Sequence, residues 1–298
     1  MLAALRAETP TWAALTTCYA LFVGLTLAAP EIPYGLAYFA LAIVIAFHSS
    51  LQHEAIHGHP TPWPAANEAL VCLPLNLVYP YRRYRDTHLS HHLDARLTDP
   101  YDDPESWYLD PEAWVRHPWW LKRLLVVNNA AIGRMLIGPA LGFIRFFAAD
   151  ARRAASGDRG VIAAWALHGA GLVFLIAWLR FAGVSPWGYA LAAYGGLSLI
   201  SLRSFLEHRA DERVSGRSVI VEDRGPLALL FLNNNLHAVH HAHPGIPWAA
   251  LPKYYRAHRE RFVALNGGYV FRSYREVLAR HAFRPKEPPA HPLMGPRP

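Results

Sequence analysis

The sequence predicts an all-α integral membrane protein, with about four transmembrane helices in two hairpins and a histidine-rich cap on the cytoplasmic face. Three observations carry this. Hydrophobic residues make up 53% of the 298 and charged residues only 17%, too apolar a balance for an ordinary soluble enzyme. Four apolar stretches approach the length that crosses a bilayer. The chain also holds 17 histidines, several of them clustered just outside those stretches, and clustered imidazoles point to metal or proton chemistry.

In chain order, the first stretch runs from about Trp12 to Ala29. Its apolar core is longer than that of a typical secretory signal, so it is expected to stay as a span. The second, Tyr34 to Ser49, follows across Ala29-Pro30-Glu31-Ile32-Pro33, a turn without Lys or Arg. Val161 to Phe181 and Tyr189 to Ser204 make the second hairpin, turning at Gly183-Val184-Ser185-Pro186. Arg82, Arg83, Arg85, Arg152, Arg153, Arg203, Arg209 and Arg213 lie beyond the opposite ends. By the positive-inside rule both termini are then cytoplasmic; Arg180 runs against the pattern without reversing it.

Two further apolar stretches are not expected to span. Ala65 to Tyr79 is short and interrupted by Pro74 and Asn76, so it should dip into the membrane or lie on it. Leu124 to Phe147 is long enough, but it carries Asn128, Asn129, Arg134, Gly138-Pro139 and Arg145. One mid-span arginine costs roughly 2.5 to 3.5 kcal/mol on insertion scales, which places this stretch at the interface. Residues 1–284 read as one membrane domain and the proline-rich 285–298 as an extended, poorly ordered tail.

The net charge of +7 is spread along the chain beside apolar segments, which suits anionic lipid head groups and not nucleic acid. Cys18 and Cys72 form no C-x-x-C motif, so neither a disulfide framework nor a cysteine-zinc site is indicated. Trp63, Tyr79, Tyr81, Tyr84, Trp119 and Trp120 read as an interfacial aromatic belt.

With this topology three histidine boxes share one side of the membrane: His53-Glu-Ala-Ile-His57, His88-Leu-Ser-His91-His92 and His237-Ala-Val-His240-His241. On a helix, residues three and four apart share a face, so each box projects its imidazoles into one volume. Neutral imidazole suits iron, zinc, copper or nickel, and this many of them favours a multi-metal redox site over a four-coordinate structural zinc. An H-x-x-x-H is common by chance, so the second and third boxes carry the inference. The first box also satisfies H-E-x-x-H, the zinc-protease pattern with Glu54 as base. An intramembrane protease leaves the other two boxes unexplained. A soluble ferritin-like plan needs two E-x-x-H pairs, and only Glu54…His57 fits.

The order of the boxes, 31 residues from His57 to His88 and 145 from His92 to His237, resembles the membrane fatty acid desaturase superfamily over about Phe47 to Pro252. Asp99-Pro100, Asp103-Pro104-Glu105-Ser106, Glu207-His208-Arg209, Pro244, Pro247 and Trp248 add to the likeness. The resemblance implies an O2-dependent oxidoreductase. Its two iron ions would be held by His53, His57, His88, His91, His92, His208, His237, His240 and His241, with no catalytic residue beyond these ligands. His208 is recommended only by its place at the end of a span and its E-H-R context. Asn233, Asn235, Asp99, Asp102, Asp103 and Glu105 are candidates to orient the imidazoles. His48, His59, His117, His168, His243, His258, His281 and His291 fall outside the pattern, with His59 and His243 the nearest exceptions. The implied substrate is a lipid-like fatty acyl group, and the implied electron donor is a separate protein of ferredoxin or cytochrome type. Related histidine-box enzymes hydroxylate or form ketones, and some resemble a desaturase of an amino-acid-type small molecule, dihydrorhizobitoxine. The boxes therefore fix the chemistry better than the substrate.

Overall fold

Local punctuation sets the helices out. Pro30, Pro33, Pro80, Pro118 and Pro186 stand at breaks or first helical positions, where a missing N–H costs nothing. A computed structural model describes residues 2–93 and 96–294, with side chains from residue 8 onward. The long helices are α1 (Leu2–Ala28), α2 (Tyr34–Ile56), α7 (Ala131–Ala155), α8 (Arg159–Phe181) and α9 (Pro186–Glu207). Shorter ones are α3 (Pro64–Val71), α4 (Tyr81–His91), α5 (Pro111–Arg116) and α6 (Trp119–Asn128). After α9 come α10 (Pro226–Leu230), α11 (His237–Ala242), α12 (Leu251–Leu265) and α13 (Tyr274–His281). Two short strands, β1 (Ile220–Val221) and β2 (Val270–Phe271), pair in parallel with Ile220 opposite Val270. The molecule is mostly helical, as expected.

Side-chain caps start the second pair of long helices. Asp158 accepts from Gly160 N and Val161 N to open α8, and Ser185 accepts from Gly188 N to open α9. Between them Gly183 takes φ +69°, a left-handed turn that glycine adopts without strain. The central contact of the fold is α2 against α9. A Cβ on Gly188 would lie 2.3 Å from the Tyr38 ring, and one on Gly196 would lie 3.0 Å from the Ala42 carbonyl. Small residues thus let the two backbones approach, as in helix pairs within membranes. Leu15, Phe22, Leu41, Ile45, Leu75, Leu175 and Tyr189 fill the core around this pair.

Among the described residues four helices are, by length and composition, long and apolar enough to cross a membrane: Glu8–Ala28, Tyr34–Ile56, Ala131–Ala155 and Arg159–Phe181. The number agrees with the sequence reading, but one member differs. Leu124–Phe147, expected at the interface, is two helices broken at Asn129-Ala130, which removes Asn128 and Asn129 from the apolar part. Arg134 is buried in protein, with its guanidinium 4.0 Å over the Trp107 ring and its Nε donating to the Asn128 carbonyl. It therefore escapes the cost of facing lipid. The expected fourth span, Tyr189–Ser204, lies within α9, which is long enough to cross but falls outside those four because its glycines, serines and tyrosines and Arg203 lower its hydropathy. Its glycines pack against Tyr38, Ala42 and Ile45 of α2, and Tyr194 donates to the Leu136 carbonyl of α7.

The Ala65–Tyr79 stretch is α3 followed by irregular backbone. Its carbonyls are claimed by side chains from four long helices. Tyr19 donates to Leu70 O at 2.6 Å, Gln52 to Val71 O at 2.9 Å, Tyr189 to Leu75 O at 3.0 Å and His168 to Leu77 O at 2.9 Å. Non-helical backbone packed among apolar helices persists only when its polar groups find partners. Of the expected aromatic belt, Trp63, Trp119 and Trp120 are exposed, whereas Tyr81 is buried and Tyr84 lies with its ring 5.6 Å from that of His88.

As far as Met294 the proline-rich tail is irregular, with bends and a turn, and it is tied to the rest of the protein. Leu109 N donates to Pro289 O, and His291 N donates to Leu109 O. The last four residues, 295–298, lie outside the described part.

Candidate metal centre

Four helix ends converge. His53 lies in the last turn of α2, and His57 is its C-terminal cap; His88 and His91 end α4, which His92 caps. His208 caps α9, while His237, His240 and His241 sit on α11. The structure brings all nine sequence candidates into two adjoining groups: His53, His57, His88, His92 and His240 in one, and His91, His208, His237 and His241 in the other. Within each group the candidate ligand atoms lie within 4.8 Å of one another.

The helical repeat explains the division. In H-x-x-H-H the first and last histidines lie about 40° apart around the helix, and the middle one falls on the other side of the first. The second box therefore sends His88 and His92 to the first group and His91 to the second. The third box does the reverse, giving His237 and His241 to the second group and His240 to the first. The groups meet where the His92 and His241 rings stack at 4.2 Å.

Ring nitrogens face one another at hydrogen-bond distance. In the first group Nε2 of His88 is 3.1 Å from that of His57 and 3.0 Å from that of His92, which is 3.2 Å from Nε2 of His240. In the second, Nε2 of His208 is 2.9 Å from that of His91 and 3.1 Å from that of His237. Outer partners fix which nitrogen carries hydrogen. His88 Nδ1 donates to Glu105 at 3.0 Å and His91 Nδ1 to Asp103 at 2.8 Å. His237 Nδ1 donates to the Asn234 carbonyl oxygen at 3.2 Å, with a Glu207 oxygen 3.7 Å away. Ser218 Oγ lies 3.2 Å from His208 Nδ1. With Nδ1 of His88 and His237 as donors, their Nε2 atoms present lone pairs to the neighbouring rings, an arrangement that suits a cation between them. The buried Nε2 of His53 has no hydrogen-bond partner. The residues present thus fit metal ions.

Burial, reinforced by the neighbouring imidazoles, holds His92, His208, His237 and His240 well below the usual imidazole range. They are neutral, the form that ligates metal. His91 differs: burial depresses it, but Glu105 and Asp103 outweigh burial and push it up to about 9. Burial would raise Glu105, yet His88 and His91 bring it down to about 2. A carboxylate pair that favours an imidazolium equally favours a metal cation at the same place.

Of the residues expected to orient the imidazoles, Asp103 and Glu105 do so. Asp99 instead accepts from the backbone N of Tyr101 and Asp102 in its own loop. Asn233 donates to Trp248 O and Asn235 to Val221 O, so neither is an imidazole partner. Asn234 takes that place, because Leu232 and Asn233 both adopt positive φ and turn the chain before α11. Asn234, Glu207 and Ser218 were missed as partners; the E-H-R context pointed at Glu207, and nothing distinguished Asn234 within its asparagine run. His59 bonds Glu8 at 2.7 Å and His243 bonds Tyr254 at 3.0 Å, so both lie outside the two groups. Glu54 Oε1 accepts from Trp248 N at 2.8 Å. A cavity of about 310 Å³, lined by Leu97, Val214, Phe262 and Leu265 among others, reaches His241.

A helical chain with apolar spans and two histidine groups able to hold metal belongs to the class of membrane-bound metalloproteins. More narrowly, the sequence pattern described as fatty acid desaturase matches residues 30–273, and the chain belongs to that family of oxidoreductases. Comparison with curated proteins finds no match.

Proposed function

We propose that the protein is a membrane di-iron oxidoreductase that uses O2 and external electrons to desaturate a lipid-like acyl substrate. The observation that carries this is the division of nine imidazoles into two adjoining groups, more donors than one four-coordinate zinc takes. His53, His57, His88, His92 and His240 would hold one iron, and His91, His208, His237 and His241 the other. Bound iron would supply, with O2 and two electrons, the oxidising power to remove hydrogen from an unactivated C–H bond. The chain's own part is placement. Asp103, Glu105 and Asn234 fix ring orientation, and the helix ends bring the donors to one volume. An inert C–H bond offers no handle except its distance from the metal, so a shaped apolar slot must select the carbon. A groove of about 490 Å³ lined by Tyr19, Leu70, Leu73, Leu167 and Phe174 offers such a surface. Tyr19 is bonded to His48, which precedes His53 on α2.

Electrons come from a separate ferredoxin-like or cytochrome-like protein. Both termini and the histidine groups face the cytoplasm, with α1 and α2 as one hairpin, α8 and α9 as the other, and α7, despite its span-like length, along the interface with its buried Arg134 turned into protein. Tags at the two termini test this: protease outside intact spheroplasts leaves both in place, and removal of the C-terminal tag contradicts the topology. Hydroxylation or ketone formation is the second reading, since the same centre serves either outcome, and an amino-acid-type small molecule is the alternative substrate. Lipid and metabolite profiling of cells with and without the protein under oxygen separates them. A new double bond supports desaturation, a new oxygen supports hydroxylation or ketone formation, and a cleaved peptide contradicts both.

A further inference from the structure

His208 is the one candidate ligand outside the histidine boxes. It caps α9 with extended backbone (φ −132°, ψ 147°), where no helical hydrogen bond fixes it. Three contacts do so instead. Ser218 meets its ring nitrogen, residues 208 and 218 form an isolated antiparallel bridge, and Lys286 Nζ donates to the His208 carbonyl. Two residues on, Ala210 N donates to the Tyr108 hydroxyl at 2.9 Å, and that hydroxyl donates to Glu287.

Lys286 is itself held firmly. Its backbone N donates to Asn129 O at 2.8 Å, the Asn129 side chain donates to Glu287 O, and its own side chain is only 10% exposed. A surface lysine in a loose tail has no reason to bury its ammonium group against a carbonyl. Further along, Leu109 N donates to Pro289 O at 2.8 Å and His291 N to Leu109 O at 2.9 Å. The His291 ring packs 4.9 Å from that of Tyr108, and its Nε2 lies 3.3 Å from Thr98 Oγ1. Thr98 N donates to Asp103, the carboxylate that orients His91.

We propose that residues 286–291 form a strap that positions the second histidine group, with Lys286 as a positioning residue for His208. The strap braces two of that group's four imidazoles, His208 through its backbone and His91 through the Asp103 loop. Among the described residues its direct contact with a candidate ligand is at His208, in the second group; the first is reached only at one remove, where Glu105 N, behind His88, donates to Asp103 at 2.9 Å. The proposal rests on the reading that the two groups hold metal.

The test titrates metal-free full-length protein in detergent with Co²⁺, whose visible spectrum reports each site; the second-group signal is the one absent from His237→Ala. Lys286→Met should weaken that signal's binding roughly ten-fold, the scale of outer-partner losses, and leave the other signal unchanged. Lys286→Arg should restore it. Tyr108→Phe, a milder change, should give a smaller loss at the same site and decides the matter alone if the Met variant does not fold. Wild-type affinity in both Met and Phe variants, equal losses at both sites, or an Arg variant as weak as Met overturns the strap. Failure of the unaltered protein to bind Co²⁺ overturns the metal reading and the strap with it.

Discussion

The two histidine groups are built differently. Four of the first group's five members come as i, i+4 pairs on helix ends, His53 with His57 and His88 with His92. Their geometry follows from the helical repeat, and Glu105 is the outer partner seen for His88. The second group has one such pair, His237 with His241, and draws His91 and His208 from separate elements. It relies on Asp103, Asn234 and Ser218 at ring nitrogens. One site is thus set by periodicity, the other by loops and their hydrogen bonds.

The sharpest way to break this comparison is to remove ligands. His92→Ala and His241→Ala should each reduce turnover to background while the protein stays in the membrane, because insertion depends on apolar helices elsewhere. Turnover and membrane-fraction immunoblots measure it, and full activity in either variant sinks the two-group account. A large effect is also expected at the buried pair that ties α4 to α7. Arg83 meets Asp150 at 2.9 Å, and Trp165 of α8 donates to the same carboxylate. Asp150→Ala strands a buried guanidinium and should cost about 3 to 5 kcal/mol of stability, read from denaturant unfolding in detergent. A loss near zero would show that α4 is held otherwise.

Outer partners come next. Asp103→Asn should lower metal affinity roughly 10- to 100-fold at the second group, and Glu105→Gln should act chiefly on the first, through His88 at 3.0 Å, with a smaller loss at the second because a Glu105 oxygen also lies 4.0 Å from His91 Nε2. Equal losses at both groups in either variant would erase the distinction.

Legibility follows the same divide. The three boxes and the four-span count were readable because 3.6-residue periodicity and bilayer length leave direct marks. The break at Asn129-Ala130, which leaves α7 as a fresh helix of span-like length, was not, since composition does not show that Arg134 is covered by Trp107 or that the glycines of α9 face α2. Asn234 was hidden because its role depends on positive φ at Leu232 and Asn233. The strap was hidden because a proline-rich composition signals extension and says nothing of what Lys286 meets.

The smallest expected effect is at Glu54. Its carboxylate accepts from Trp248 N, a bond that a glutamine oxygen can also accept. Glu54→Gln should keep measurable turnover, whereas a zinc protease would lose its base. Turnover as low as in His91→Ala, at normal iron content, would give Glu54 a catalytic role that the present account denies it.

Metal analysis of the purified protein, with Mössbauer spectroscopy of iron-57-loaded samples, tests the central claim most directly. The account predicts about two irons per chain with little zinc, falling when either histidine group is altered. One stoichiometric zinc without iron, persisting after expression in iron-replete cells, would contradict it.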